Sequence, residues 1–470
     1  MKRMTTALCL SLGALLGLGG CTLAPQYRRP KAPIPADWPS GAAYQDTQPT
    51  TNPSDAAPLE RQEFFSDGNL QRVIEIALQN NRDLRLAALN VERARALYGI
   101  QRAELLPVVN AAGSGSKQRV PADLSATGKS MVSEQYGANL GLSSWEIDFF
   151  GRIRSLADRA LEEYLATEQA RRSAQVLLVS EVANAYLTLA ADRETLKLAK
   201  TTLESQQAAY ELVKRRLDRG LVPELDLHRA QTQVDAARGD LARFTRLAAQ
   251  DGNALNLLVG SPVPDDLLPA ELGGVSPLKE ISPGVSSEVL LGRPDILQAE
   301  ALLKAANATI GAARAAFFPR ISLTTSIGTG SVELSGLFQP GSRAWNFAPQ
   351  IVMPIFDSRT WSALKVTEVE KQSALAQYEK AIQTAFREVA DALAVRGTVD
   401  QQISAQESLV HAAAETYRLS DARYSKGIDS YLPVLDAQQF LYAAQQRLVA
   451  LRLGRLANQV RLYAVLGGGG

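Results

Sequence analysis

Few residues in this 470-residue chain could do covalent or metal chemistry. Its two histidines, His228 and His411, stand 183 positions apart, and its two cysteines, Cys9 and Cys21, both fall near the N-terminus. No HExxH, paired CxxC or GxSxG stretch is present, so zinc, iron–sulfur and serine-nucleophile chemistry lack their grouped ligands and bases. Gly128-Lys129-Ser130 ends like a phosphate-binding loop, but the first glycine of that motif would fall on Asp123, and no strand–loop–helix frame surrounds it. Fifty Lys and Arg against 49 Asp and Glu give a formal charge of +1, too little for a global nucleic-acid field. The composition points away from an enzyme, from a metal or organic cofactor and from a nucleic-acid partner.

One residue does stand where modification chemistry is expected. Lys2 and Arg3 precede an apolar stretch from Ala7 to Leu18, then Gly19, Gly20 and Cys21. A basic start, a short apolar core and small residues before a cut describe an export signal over 1–20, not a spanning helix. Leu18-Gly19-Gly20-Cys21 also resembles the bacterial lipoprotein signal, in which the cysteine becomes an acylated first residue. The lipid on Cys21 is then the one covalent group expected, and Thr22 in place of an aspartate implies the outer membrane. Residues 21–62, rich in Pro, Ala, Ser and Thr, read as an extended segment over a surface.

The elements that follow are written twice. At an offset of 212, Asp83, Ala87, Ala94, Gly99, Arg102 and Pro107 fall on Asp295, Ala299, Ala306, Gly311, Arg314 and Pro319. At an offset of 207, Tyr210, Arg216, Gly220, Leu225, Ala230-Gln231 and Gly260 fall on Tyr417, Arg423, Gly427, Leu432, Ala437-Gln438 and Gly467. A tandem duplication explains one register held over so long a stretch. The repeats span 63–260 and 293–467, joined by a Pro- and Gly-rich linker at 261–292. Each reads as helix, two strands, a very long helix, a turn and a further helix.

From Arg152 to Arg219 neither Gly nor Pro occurs, and 68 helical residues would extend about 100 Å. Val182, Leu189, Leu196, Leu203, Tyr210 and Leu217 recur every seven residues. Val389, Arg396, Ile403, Val410, Tyr417 and Tyr424 repeat the pattern with one polar break, the signature of left-handed supercoiling. Helices at roughly 81–106 and 221–259 would lie antiparallel to the long one. Strands are expected at 107–117, 136–148, 320–329 and 346–356. Ile321, Leu323, Thr325 and Ile327 alternate with Ser322, Thr324, Ser326 and Gly328, and Ala138, Leu140 and Leu142 alternate with Gly137, Asn139 and Gly141. Strands of about ten residues can cross a bilayer at a tilt. Four cannot close a barrel, and an open edge in lipid leaves backbone groups unpaired at several kcal/mol each, so several chains must share one barrel.

Trp145-Glu146-Ile147-Asp148-Phe149-Phe150-Gly151-Arg152, its echo Met353-Pro354-Ile355-Phe356-Asp357, and Arg423-Tyr424-Ser425-Lys426-Gly427 followed by Ser430 to Gln438 resemble the TolC-type outer-membrane factors. The likeness is greatest to the lipidated OprM/NodT-like branch that serves RND efflux pumps, and it covers nearly the whole chain. The resemblance implies a mainly α fold with a membrane β-barrel. In it, a homotrimer closes a 12-stranded outer-membrane barrel, four strands per chain, over a long α-helical periplasmic tunnel. It also implies a passive exit duct, an inner-membrane RND transporter that supplies the energy, and a periplasmic adaptor that docks on the far tip.

By the same resemblance the tip is a gate. Tyr424 would face Asp226, Asp436 would contribute to an acidic ring, and Leu432 would form an apolar constriction. Two positions depart from relatives: Gln439 stands where an arginine follows the ring aspartate, and Asp429 where another branch carries arginine. Arg216, Arg219 and Arg423 are the local basic candidates to replace them, and with Lys214 and Arg215 they form a charged tip face. A type I protein-secretion channel shares this outline. A lipid-anchored coiled-coil tether would leave the four strands without a role.

Overall fold

The computed structural model describes residues 22–44, 60–276, 278–279 and 286–468. The expected leader 1–20 and Cys21 lie outside the described residues. The order is α1 (Arg61–Phe64), α2 (Gly68–Asn80), α3 (Arg82–Ala103), β1 (Val109–Val120), β2 (Met131–Glu146), α4 (Arg152–Asp218) and α5 (Glu224–Val259). After the linker come α6 (Pro294–Ala315), β3 (Arg320–Ser331), β4 (Arg343–Val352), α7 (Ser358–Ser425) and α8 (Leu432–Val465). The expected helix–strand–strand–helix–helix order is present in both halves. The described residues divide into two units, one formed by 22–31, 90–168 and 298–378 and the other by the remaining described residues.

The first unit holds the sheet, antiparallel throughout in the order β1-β2-β3-β4. Every strand differs from the sequence reading at one end or both, and the largest differences have a hydrogen-bonding reason. β1 continues through Lys117 to Val120 because 116–120 pair with Met131–Gln135, residues that read as loop; Pro121 then stops it. β4 starts at Arg343, opposite Thr329, and ends at Val352, because Pro354 has no N–H to donate. A bulge between Leu142 and Trp145, with Ser144 at φ 54°, restores the inward–outward alternation before α4.

Directly opposed residues share a face, so the register sorts the strands. One face carries Val109, Ala111, Leu140, Leu142, Trp145, Ile321, Leu323, Ile327, Trp345, Phe347 and Ile351. The other carries Asn110, Ser114, Ser116, Asn139, Ser322, Thr324, Ser326, Asn346 and Gln350. Glycine permits close strand approach on this polar face. A Cβ on Gly328 would collide with the Ala138 carbonyl oxygen, and one on Gly141 would meet Thr325 O at 2.5 Å.

The N-terminal segment docks on α6 of the same unit. Leu23 O accepts from Arg314 (3.2 Å), Pro25 O accepts from Asn307 (2.7 Å), and Ala24 lies against Gly311, where any Cβ would collide. Glu300, 3% exposed, accepts from both sides of the Arg29 guanidinium and from the Tyr27 hydroxyl. Burial works to raise the Glu300 carboxyl, but Arg29, Lys304 and Tyr27 hold it below the usual carboxylate range.

The second unit is helical. Phe64, Phe65, Leu70, Val73 and Ile74 of the α1–α2 region pack on Val182, Tyr186, Leu187 and Leu189 of α4, with Leu255, Val259, Val460 and Tyr463 closing the core. One stretch of α4 is long and apolar enough for a membrane span, yet 56% of it is buried in this packing. The linker is anchored here too, with Arg193 donating to Pro269 O and Glu194 accepting from Leu272 N. Farther along, Val182, Leu189, Leu203, Val389, Ile403 and Tyr424 of the heptad positions are buried, together with Ala199, Gln206, Val213, Gln406 and Ala413 between them. That three-four spacing is the supercoil seam.

The duplication persists in individual hydrogen bonds. The turn after α4 closes with Gly220 N to Leu217 O and Leu221 N to Arg216 O; the turn after α7 closes with Gly427 N to Tyr424 O and Ile428 N to Arg423 O. Both are Schellman caps, and Gly220 (φ 68°) and Gly427 (φ 72°) supply the left-handed residue. Asn81 donates to Leu258 O, and its repeat equivalent Arg293 donates to Val465 O. The copies differ at one buried pair. Asp192 and Asp251 hydrogen-bond carboxyl to carboxyl, where the second repeat has Val399 and Asn458, whose amide donates to Ala392 O.

Two outcomes follow. Gly328→Ala should destabilise the sheet by about 1–3 kcal/mol through forced strand separation, whereas Gly113→Ala, where a Cβ meets nothing within 4 Å, should not. The thermal unfolding midpoint of the purified protein measures both. Burial, then the neighbouring Asp192 carboxyl, raise Asp251 to about 6, so its contribution to stability is present at low pH and lost as pH rises through that value. Asp251→Asn should therefore raise the melting temperature at pH 7.5 and have little effect at pH 4.5.

Candidate functional site at the helix turns

The two Schellman turns bring four helix ends of the second unit together. Val213 of α4, Ala230 of α5, Tyr424 of α7 and Tyr431, Val434 and Leu435 at the start of α8 form one small core. Tyr424 and Tyr431 meet at 5.0 Å between ring centroids, and the Arg216 guanidinium lies 4.6 Å over the Tyr424 ring. Both tyrosine hydroxyls are buried without a hydrogen-bond partner among the described residues. Such a group costs about 1–3 kcal/mol relative to a satisfied one. Burial, then the neighbouring Tyr424, Tyr417, Asp421 and Asp226, push the Tyr431 hydroxyl up, which keeps it neutral.

The residues singled out from the sequence sort into separate contacts. Arg216 and Tyr424 come together across the repeats. Arg423 instead forms a two-pronged pair with Asp429 (2.5 and 3.1 Å) inside its own turn, holding the Asp429 carboxyl below its ordinary value. Asp226 is nearly buried beside Arg229 (3.7 Å) and has no hydrogen bond to Tyr424, whose hydroxyl is unpaired. Arg219 and Asp436 are exposed, and Leu432 shows 41% of its surface at the start of α8. His228 lies exposed beside Glu224, and Gly128-Lys129-Ser130 falls in the turn between β1 and β2.

Other links between the repeats were not anticipated. Gln439, where the resemblance implied an arginine, donates to Gln233 Oε1 at 2.7 Å, and Gln438 donates to Ser205 Oγ at 3.3 Å. Within the second repeat, Gln406 of α7 donates to Ala444 O of α8 at 2.9 Å. Only the missing arginine drew attention to this place. Nothing in local spacing reveals a partner 206 residues away. The contacts between repeats are thus a cation over a ring and neutral amide bonds, while the one bidentate ion pair stays within its turn.

A four-stranded sheet with one apolar and one polar face, joined to two hairpins of long helices, defines the TolC-type outer-membrane channel. Comparison with known proteins agrees. The open-state outer membrane channel MtrE of Neisseria gonorrhoeae superposes with a TM-score of 0.85 at 38% identity, over 96% of this chain and 98% of that one. Two Pseudomonas putida proteins are each 50% identical over 456 residues, covering 96% of this chain and 93% of theirs. They are the antibiotic efflux pump outer membrane protein ArpC and the toluene efflux pump outer membrane protein TtgC. The outer membrane efflux protein family matches at residues 73–261 and 285–468. The chain belongs to that family, and it is an outer-membrane protein with a helical periplasmic extension.

Proposed function

We propose that this protein is the exit duct of a tripartite RND-type efflux pump, exporting toxic small molecules of the antibiotic or organic-solvent kind. The two-faced register of the sheet carries the reading. Its apolar face suits lipid, its polar face suits a water-filled lumen, and its two unpaired edges call for neighbouring copies. Three chains supply twelve strands. Transport is passive and non-enzymatic, with energy from an inner-membrane transporter coupled through a periplasmic adaptor at the helix turns. No observation favours protein secretion, whereas the relatives' names favour efflux.

The cluster at the turns is the gate in this reading. Tyr424 and Tyr431 form its packed centre, with Arg216 and Gln439–Gln233 linking the repeats. Three-fold repetition turns Asp226 and Asp436 into acidic rings that favour cations. Leu432 narrows the passage, and Arg423–Asp429 stiffens the turn beside Arg219. The unpaired Tyr424 hydroxyl is available to Asp226 once the copies assemble. Lipidation of Cys21 is supported from the other end of the chain, since Leu23 is held at the last turn of α6, close to the first residue of β3. Multiple acyl chains there make a firm anchor.

Tyr424→Phe combined with Asp226→Ala should raise single-channel conductance in planar bilayers several-fold; an unchanged low conductance sinks the gate. Mass spectrometry of the mature N-terminus should show an acylated Cys21, and an unmodified cysteine or a later start refutes the anchor.

A further inference from the structure

The charged residues of the strands are distributed unevenly between the two faces. At the helix-proximal end, Glu146 and Arg320 sit on the polar face, where Glu146 also takes both prongs of Arg152. At the opposite end the polar face has none: Gln118, Met131, Ser133, Gln135, Gly330 and Ala344 stand there. Every strand charge at that end is on the apolar face, namely Lys117, Arg119, Glu134 and Arg343. Three cations therefore accompany one carboxylate on the face that carries the large apolar side chains, beside Tyr136, Thr329 and Ser331.

Their settings differ. Lys117 pairs with Glu134 at 2.5 Å while remaining 65% exposed, and Tyr136 donates to the same carboxylate. Arg119 donates only Nε, to Ser130 Oγ at 3.1 Å. Arg343 is exposed, follows directly along its face from Trp345 (74% exposed), and has no ion pair among the described residues. Lys117 and Arg119 are two positions apart on one strand face, so their side chains leave the sheet roughly 7 Å apart. They lie on β1 and Arg343 lies on β4, the two outer strands. Closing the barrel sets β4 of one copy beside β1 of the next, which gathers all three cations along each seam between copies.

With the helices in the periplasm, this end reaches the outer leaflet, and its apolar face meets lipid. Arg119 and Arg343, which have no ion pair among the described residues, and Lys117, which shares one carboxylate with them, need a lipid-borne anion, and arginine prefers phosphate because its fork binds two oxygens. We propose that Lys117, Arg119 and Arg343 form a binding site for the phosphates of a phosphorylated glycolipid of the outer leaflet, one site per seam. The exposed indole of Trp345 and the ring of Tyr136 lie at the headgroup boundary, where aromatic side chains are favoured. The site accounts for why charge at this end faces outward and is absent from the lumen side.

The test uses the full-length trimer, delipidated in a neutral detergent and titrated with bis-phosphorylated lipid A, with bound lipid counted by native mass spectrometry. The variant Lys117→Ala/Arg119→Ala/Arg343→Ala should lose at least tenfold in lipid A retention, while Gln118→Ala on the lumen face retains it. Dephosphorylated lipid A should bind the parent no better than it binds the triple variant. Unchanged retention in the triple variant overturns the proposal. So does full competition by equimolar inorganic phosphate, which would make this a free-anion site. A trimer that dissociates at lower temperature in lipid-free detergent also overturns it, because the cations would then be pairing across copies.

Discussion

In hydrocarbon a backbone N–H or C=O has no water to turn to, and this constraint governs the protein from its sheet outward. β1 and β4 each leave one edge unpaired, and the sheet can enter a membrane only when those edges meet other copies. Closure then dictates what each face contains. The outward face is apolar because it meets acyl chains, and the inward face is small and polar because it lines water. Gly141 and Gly328 sit where neighbouring strands come too close for any side chain. The bulge at Leu142–Trp145 returns the backbone to phase before it becomes helix.

A duplicated unit meets this constraint economically, since each copy contributes one strand pair and one helical hairpin. The two copies share turn geometry down to individual hydrogen bonds, yet they have diverged where their surroundings differ. Asn81 became Arg293, which adds ion pairs to Asp295 and Glu388 while keeping the bond to the end of the last helix. Asp192 and Asp251 set two carboxyls side by side where Val399 and Asn458 pack neutrally. Such asymmetry gives a tunnel wall two kinds of hairpin from one template.

At the turns a small apolar core joins the repeats, and the polar interactions between them are weak ones. A guanidinium over a ring and a neutral amide pair each contribute on the order of 1 kcal/mol, and the ion pair Arg423–Asp429 is solvent-exposed and holds only its own turn. In the proposed gate such contacts can exchange without unfolding the helices that carry them. The large buried core around Tyr186 and Tyr463 lies elsewhere in the same unit, so the turns can rearrange while it stays packed.

The sequence alone was enough for the duplication, the 67- and 68-residue helices, the two-faced strands and the need for several copies. Each of these follows from periodicity or from turn residues, which are local properties. Strand ends were less legible, because Met131–Gln135 looks like loop until it pairs with β1. The identity of several tip residues was readable by likeness, but not their partners. Whether Arg216 covers Tyr424, Gln439 reaches Gln233, or Glu300 clasps Arg29 depends on how each helix is rotated about its axis. One residue of register turns a helix by about 100°, and only the packing of distant segments sets that rotation.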